Sequence, residues 1–600
     1  MLCGVRRAAS LLIWAVLGCT RAPSEESEPE RVVAAPSAVP APPSSAVPSP
    51  PGPAPPRAPF SASLTGGPGS VHGEFGAVTS VEPRATRVGI AILEQGGNAV
   101  DAAVAVAYAL AVTHPSAGNL GGGGFMLVRP KGGPTLALDF RESAPLALTR
   151  DRFEAMQRMA GGMGPVSVGV PGSVAGLELA HDRLGRLPRA TVIGPAISLA
   201  RGHALGQHQA DLLAGSFKAL ALDPAARAIF GKDKKPLPAG ATLVQRDLAA
   251  TLQRIAEQGR TGFYAGPTAL ALSNLARGLI SSADLAAYQA KWREPLRFDY
   301  HGLQVEVMPP PSAGGVAVTQ ILLMLQALHA DAFAHDSAAE LHLFLEASRR
   351  AQFERRFRVI DPDALSAEAT AQKRARWLDP NAWLASTPID PEHATPSLSI
   401  HPPETDEAHE SEHTTHFSVV DAEGMVVSCT TTLSASYGAK LVLPGTGVVL
   451  NNSVASFSSS GENQPVAGRR TTSSMSPALV LDGGQPVLVL GSPGGDTIPS
   501  TVVQVLRHVV DHGESLSAAV NAPRVHHGFL PDRVRIESAH APPADVLREL
   551  TRRGHQLKRG SSSMGDANEI LIQGNVAWAY ADPREFGLAL AAKAAPTRLP

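Results

Sequence analysis

Thr414-Thr415-His416-Phe417-Ser418-Val419-Val420-Asp421, followed by Ala422-Glu423-Gly424, is the stretch that decides how this chain is read. A polar, histidine-rich and acidic segment, residues 402–413, runs directly into an alternating apolar run. That pattern marks a loop becoming a strand. A threonine at such a junction has a specific chemical use. If the preceding peptide bond is cut, Thr414 becomes an N-terminus. Its α-amine then lies beside its own hydroxyl and serves as the base that activates it. A Thr-Thr pair opening a strand is also what β-propensity alone produces, so the junction by itself leaves both readings open.

Working outward, the region after Thr414 is rich in strand patterns, at 416–420, 425–430, 448–451, 478–481 and 487–490. Helical patterns follow at 501–511 and 544–553. Upstream, 85–93 and 98–112 read as helices whose small residues place them in the interior. The glycine run 118–124 breaks that pattern before a strand at 125–128. It has neither the G-x-G-x-x-G nor the P-loop spacing and lacks the lysine, so it points to close backbone packing beside a site rather than to phosphate. Helical patterns dominate 192–384, with a strand at 303–307 punctuated by Pro309 to Pro311. Residues 390–412 carry no apolar period and read as a flexible, exposed loop, the kind of segment in which a backbone can be cut.

Lys and Arg number 52 against 54 Asp and Glu. There is no global basic field, so nucleic acid and acidic polymers are poor partners. The 600 residues allow two to four average domains or one large one. The three cysteines, Cys3, Cys19 and Cys429, provide no disulfide framework in a chain that loses its leader. Cys429 reads as a buried strand thiol.

The N-terminus reads as a targeting segment. Arg6 and Arg7 precede an apolar run, 8–18, that is too short to span a bilayer. Val16-Leu17-Gly18-Cys19 resembles a bacterial lipoprotein cleavage box, which makes Cys19 a lipidation candidate; a plain secretory signal is the alternative. The expected organisation is a signal peptide over 1–18, a Pro/Ala/Ser-rich tether over 19–65, a large-fragment region over 66–413 and a small-fragment region over 414–600. Export to the periplasm or to a membrane-anchored position follows, with membrane contact only through a lipid anchor.

Over residues 66–588 the chain resembles the γ-glutamyltranspeptidase (glutathione hydrolase) family of N-terminal-nucleophile hydrolases. The motifs are Gly96-Gly97-Asn98-Ala99-Val100-Asp101-Ala102-Ala103, Thr113-His114-Pro115, 118–126, Asp139-Phe140-Arg141-Glu142 and Met308-Pro309-Pro310-Pro311-Ser312-Ala313-Gly314-Gly315. After Thr414 come Leu450-Asn451-Asn452, Ser473-Ser474-Met475-Ser476-Pro477, Gly491-Ser492-Pro493-Gly494-Gly495, Met564-Gly565 and Ala581-Asp582-Pro583-Arg584. The resemblance implies an α/β (α+β) fold, a four-layer α-β-β-α sandwich, and self-cleavage between His413 and Thr414. It implies Thr414 as nucleophile, Thr432 as its hydrogen-bonding neighbour, and Gly494 and Gly495 as oxyanion-hole donors. Arg141 with Ser473 and Ser474 would hold a substrate carboxylate; a surface pairing of Arg141 with Glu142 or Asp139 is the alternative. It implies no cofactor and no metal; the partners would be a small-molecule amide, an amino-acid or peptide acceptor, and the two fragments of one precursor.

The chain departs from the family where the α-ammonium of a glutamyl group is bound. Ser453 and Ser456 stand where the family has a Gln or Glu and then an Asp, and Ser434 replaces an asparagine. Glu462 is an acid within reach in sequence. The segment 457–472 is short, which implies an open pocket like those of lidless members and cephalosporin-acylase relatives. The leading reading is therefore a γ-glutamyltransferase and glutathione hydrolase. A glutaryl-type acylase is the enzymatic alternative, and a lipid-anchored binding protein on the same scaffold the non-enzymatic one.

Overall fold

The Thr414–Asp421 strand is buried along its whole length, because both of its faces are covered. In this computed structural model, residues 64–158, 163–275, 279–401, 413–458, 461–560 and 563–593 are described. The expected leader, its Cys19 and all but the end of the tether lie outside them. Leu64 is already buried, so the folded part begins two residues before the expected boundary.

Two seven-stranded sheets form the centre. The first runs, in spatial order, Leu588–Ala591, Gly76–Ser80, Thr414–Asp421, Val426–Thr432, Gly123–Arg129, Leu136–Asp139, Lys291–Arg293. The second runs Val71–Gly73, Val576–Ala581, Asn568–Gln573, Gln485–Leu490, Ala478–Asp482, Leu303–Val307, Leu296–Tyr300. Neighbouring strands are antiparallel throughout both sheets.

Side-chain alternation in the first sheet sorts its two faces. Phe417, Val419, Val427, Cys429, Met126 and Val128 share one core with the helix Ala99–Thr113. The intervening residues face the second sheet: the Ser418 hydroxyl donates to the Asn568 carbonyl at 2.8 Å and that of Ser428 to Leu490 at 2.7 Å. Ala99–Thr113 is buried on every side; its alanines and valines let it pack against both the sheet and the helix Pro83–Glu94. Asn98 and Asp101 close its N-terminus in a reciprocal capping box. On the far side of the second sheet lie the helices Ala313–Ala327, Ala338–Phe357 and Ile498–Val510. The layers are thus helix, sheet, sheet, helix, as expected.

The sequence reading placed the strands at 303–307 and on either side of residue 422 correctly, and Cys429 is a buried strand thiol. It missed the hairpin Asn568–Gln573/Val576–Ala581 and the strands Gly76–Ser80, Leu136–Asp139 and Leu296–Tyr300. The expected loop at 390–412 is only partly a loop. Ser397–Ile400 is a short helix, and the buried Ser397 hydroxyl donates to the Phe529 carbonyl at 2.6 Å. Residues 402–412 lie outside the described residues.

Candidate active site

Strand register brings the central residues together. Thr414 lies directly opposite Thr432, and Thr432 opposite Gly123, so three adjacent strands present one row at one end of the sheet. The Thr432 hydroxyl donates to the His413 carbonyl oxygen at 2.9 Å. In turn it accepts from the Ser434 backbone N–H at 2.9 Å and, at a longer 3.4 Å, from the Thr414 hydroxyl. One hydroxyl thus joins the hydroxyl of Thr414 to the carbonyl that precedes it.

The glycine run packs against this row, as its sequence suggested. A Cβ on Gly122 would stand 2.2 Å from the Thr432 carbonyl oxygen, and one on Gly123 would stand 2.5 Å from a Glu142 carboxylate oxygen. No side chain fits there without displacing the backbone of the site.

Thr414 also lines a cavity of about 230 Å³ with His413, His114, His208, Gly494, Gly565, Asp566 and Glu585. Gly494 has a φ of +129°, and Gly495 follows it three residues before the helix Ile498–Val510. The glycine pair therefore lies at the positive end of that helix. Burial, with the Lys440 ammonium as a second cause, pushes the His413 imidazole down to about 4. Burial, followed by the Asp582 carboxylate, raises the Glu585 carboxyl to about 7. A larger cavity of about 650 Å³ lies elsewhere, beside Arg470, Asp361 and Asp363. Its charges neutralise one another: Arg470 meets Asp363 at 2.9 Å, and so does Lys291 at 2.8 Å.

The remaining expected residues form two groups. Ser434 and Ser456 meet hydroxyl to hydroxyl at 3.3 Å. Arg141 is fully buried, and its Nη1 pairs with Glu142 Oε2 at 2.7 Å. Glu142 Oε1 accepts the Ser453 hydroxyl at 2.6 Å. Arg141 Nε has no hydrogen-bond partner among the described residues. Ser473 and Ser474 lie on the 312–315 motif: the Gly314 N–H donates to the Ser473 carbonyl at 3.1 Å. The Ser474 hydroxyl accepts Arg355 Nη1 at 2.5 Å.

A sequence profile described as Gamma-glutamyltranspeptidase matches residues 85–592. The chain belongs to the γ-glutamyltranspeptidase family. It is 40% identical over 530 residues to the glutathione hydrolase proenzyme of Escherichia coli (strain K12), covering 84% of this chain and 89% of that protein. It is 34% identical over 517 residues to the Acylase ACY 1 proenzyme of Pseudomonas sp. (strain SE83), covering 83% of this chain and 90% of that one. The cephalosporin acylase from Bacillus halodurans superposes with a TM-score of 0.77 at 26% identity, over 88% of this chain and 97% of that one. Membership makes this chain an enzyme of the N-terminal-nucleophile class and removes the non-catalytic reading.

Against the expectations for a family member, two points change. Glu462 does not supply an acid beside the serines; its carboxylate pairs with Lys373 at 2.8 Å. The acid that adjoins Ser453 is Glu142, which the sequence offered only as an alternative partner for Arg141. Asn451 had no role assigned beyond its motif. Its side-chain amide donates to the carbonyls of Gly121 and Gly169 at 2.7 and 2.9 Å and accepts the Ser453 N–H at 2.9 Å. That clamp fixes where Ser453 meets Glu142. The available signal was the strict adjacency of Arg141 and Glu142, a buried charge beside its own counter-charge.

Proposed function

We propose that this chain is made as an exported precursor, cuts itself between His413 and Thr414, and then cleaves γ-glutamyl amides through Thr414. The contact that carries the reading is the Thr432 hydroxyl on the His413 carbonyl. It polarises the bond that the neighbouring Thr414 hydroxyl attacks. In processing, Thr414 Oγ1 adds to the His413 carbonyl carbon, the C–N bond breaks, and an ester forms at Oγ1. Water hydrolyses the ester to a His413 carboxylate and a free Thr414 amine.

In turnover that amine takes the Thr414 hydroxyl proton as Oγ1 attacks the substrate amide carbon. Backbone N–H groups of Gly494 and Gly495, at the positive end of a helix, receive the developing oxyanion. The departing amine takes the proton, leaving an acyl ester on Thr414. Water, or the amine of an amino acid or peptide, then accepts the acyl group.

The acyl group's α-carboxylate would meet Arg141, whose Nε is buried without an acceptor among the described residues, together with Ser473 and Ser474. Its α-ammonium would meet the Glu142 side, with Ser453, Ser434 and Ser456. The adjacent cation and anion suit a zwitterionic acyl group. N-terminal sequencing of the processed small fragment tests the cleavage: any first residue other than Thr414 removes the assignment.

A second reading, a glutaryl-type acylase, is favoured by the serines at 453 and 456, which bring no carboxylate of their own. Comparing kcat/KM for γ-glutamyl and glutaryl anilides decides between the two. Export rests on the leader pattern alone, with Cys19 as the lipidation candidate. No described helix is long and apolar enough to cross a membrane.

A further inference from the structure

At the C-terminal end of Ile498–Val510, the opposite end from the glycine pair, three imidazoles and three carboxylates converge. His335 Nε2 lies 2.7 Å from His508 Nδ1. Asp336 Oδ2 is 3.5 Å from His335 Nε2, and Glu514 Oε2 is 3.3 Å from His508 Nδ1. His512 stacks on His335 with ring centroids 4.2 Å apart, and its Nε2 is held 2.7 Å from Glu340 Oε1. None of these residues lines the Thr414 cavity.

We propose that His335, His508 and Asp336 form a binding site for a divalent transition-metal ion of the zinc class, with water completing the coordination. Four donors bound at 2.0–2.1 Å around one tetrahedral ion lie about 3.3 Å from each other. The ligand atoms of His335, Asp336 and His508 lie within 4.8 Å of one another, so small side-chain shifts bring them around one ion. Two imidazole nitrogens and one carboxylate oxygen suit zinc, and the group contains no thiolate that would favour a softer ion. The second shell is also in place. Glu514 Oε1 lies 2.9 Å from His335 Nδ1, so it accepts that ring's N–H and leaves the Nε2 lone pair to face the site. A cation here further faces the negative end of the helix. The donors come from two separate segments, residues 335–336 and the helix position His508. An ion would therefore fasten the helix that follows the glycine pair to the start of Ala338–Phe357.

The test uses the full processed protein, stripped with a chelator and verified metal-free by mass spectrometry. Calorimetric titration with ZnCl₂ should give one ion per chain. Cobalt(II) in its place should show the intense visible bands of four-coordination. His335→Ala and His508→Ala should each weaken zinc binding by about 100-fold, whereas His512→Phe, which keeps the stacking, should leave it within a few-fold of wild type. Zinc should raise the wild-type Tm but not that of His335→Ala. No binding by the stripped wild type, or equal affinity in wild type and His335→Ala, overturns the proposal. His335 is an exposed side chain in a connection, so that variant decides the matter even if His508→Ala fails to fold.

Discussion

The Thr432 hydroxyl and the His413 carbonyl oxygen are 2.9 Å apart, across a strand pair whose register sets Thr432 opposite Thr414. The same hydroxyl has its remaining acceptor capacity turned toward the Ser434 N–H and the Thr414 hydroxyl. Thr432→Val keeps the shape and removes the donor. Self-cleavage should slow by about 10²–10³-fold, the usual cost of one oxyanion donor. Thr414→Ala should stay a single inactive chain. A timed gel of the purified precursors reads both, and wild-type processing kinetics in Thr432→Val would remove that residue's role.

Arg141 and Glu142 are both buried, so deleting one orphans the other. Arg141→Ala should still split into two fragments, because the substrate carboxylate plays no part in backbone cleavage. It should lose about 3–5 kcal/mol of stability through the unpaired Glu142 carboxylate. The double variant Arg141→Met/Glu142→Gln should recover most of that stability, with kcat/KM still depressed by about 10²-fold or more. Urea unfolding alongside kinetics separates the two effects. Full activity in the double variant would show that the pair is only structural.

Selectivity depends on the ammonium half of the pocket. Hydroxyls recover only part of the desolvation cost of an α-ammonium. Ser456 faces Ser434 at 3.3 Å and stands at the position expected to hold an acid in the family. Ser456→Asp should shift the γ-glutamyl to glutaryl ratio of kcat/KM toward γ-glutamyl by about 1–3 kcal/mol, or roughly 5- to 150-fold. Glu142→Gln should shift it the other way. If neither change moves the ratio, the ammonium is bound elsewhere.

Acid should destabilise the fold through its buried histidines. Burial holds His416 at about 3, and burial with the neighbouring His208 and His413 holds His114 at about 3; both sit well below the ordinary 6.5. Between those values the unfolded chain takes up protons that the folded one refuses. The stabilisation is therefore full above pH 6.5 and is lost as pH falls toward 3. Each histidine contributes about 1.4 kcal/mol per pH unit. Glu585 acts oppositely: its carboxyl is raised, so its contribution is present below pH 4.5 and lost as pH rises through about 7. In His416→Gln, whose amide still reaches Thr430 and Ser418, the fall in Tm from pH 6.5 to 4 should be shallower by one proton's worth. An unchanged slope would show that His416 is not titrating with unfolding.

The row of candidate residues was legible wherever one segment holds the information. Thr414 opens a strand because a polar stretch meets an alternating apolar one, and Gly118 to Gly124 marks backbone contact because nothing larger fits. Helices such as Ala99–Thr113 announced themselves through small residues and a capping box. Short strands such as Leu136–Asp139 and the Asn568–Gln573 hairpin did not. Their pairing partners are distant in sequence, and burial on both faces erases the alternation that marks a strand.

What the sequence by itself determined is the family and the layered fold, and it named the candidate residues around Thr414, since these rest on local pattern and ordered motifs. Only the tertiary structure decided which partners those residues meet. Glu462 turns to Lys373, Glu142 takes the place beside Ser453, and Thr432 reaches the carbonyl before Thr414. The reason is physical: partner choice is set by strand register and by the need of each buried charge or hydroxyl to find a counterpart, and both are properties of segments brought together from across the chain.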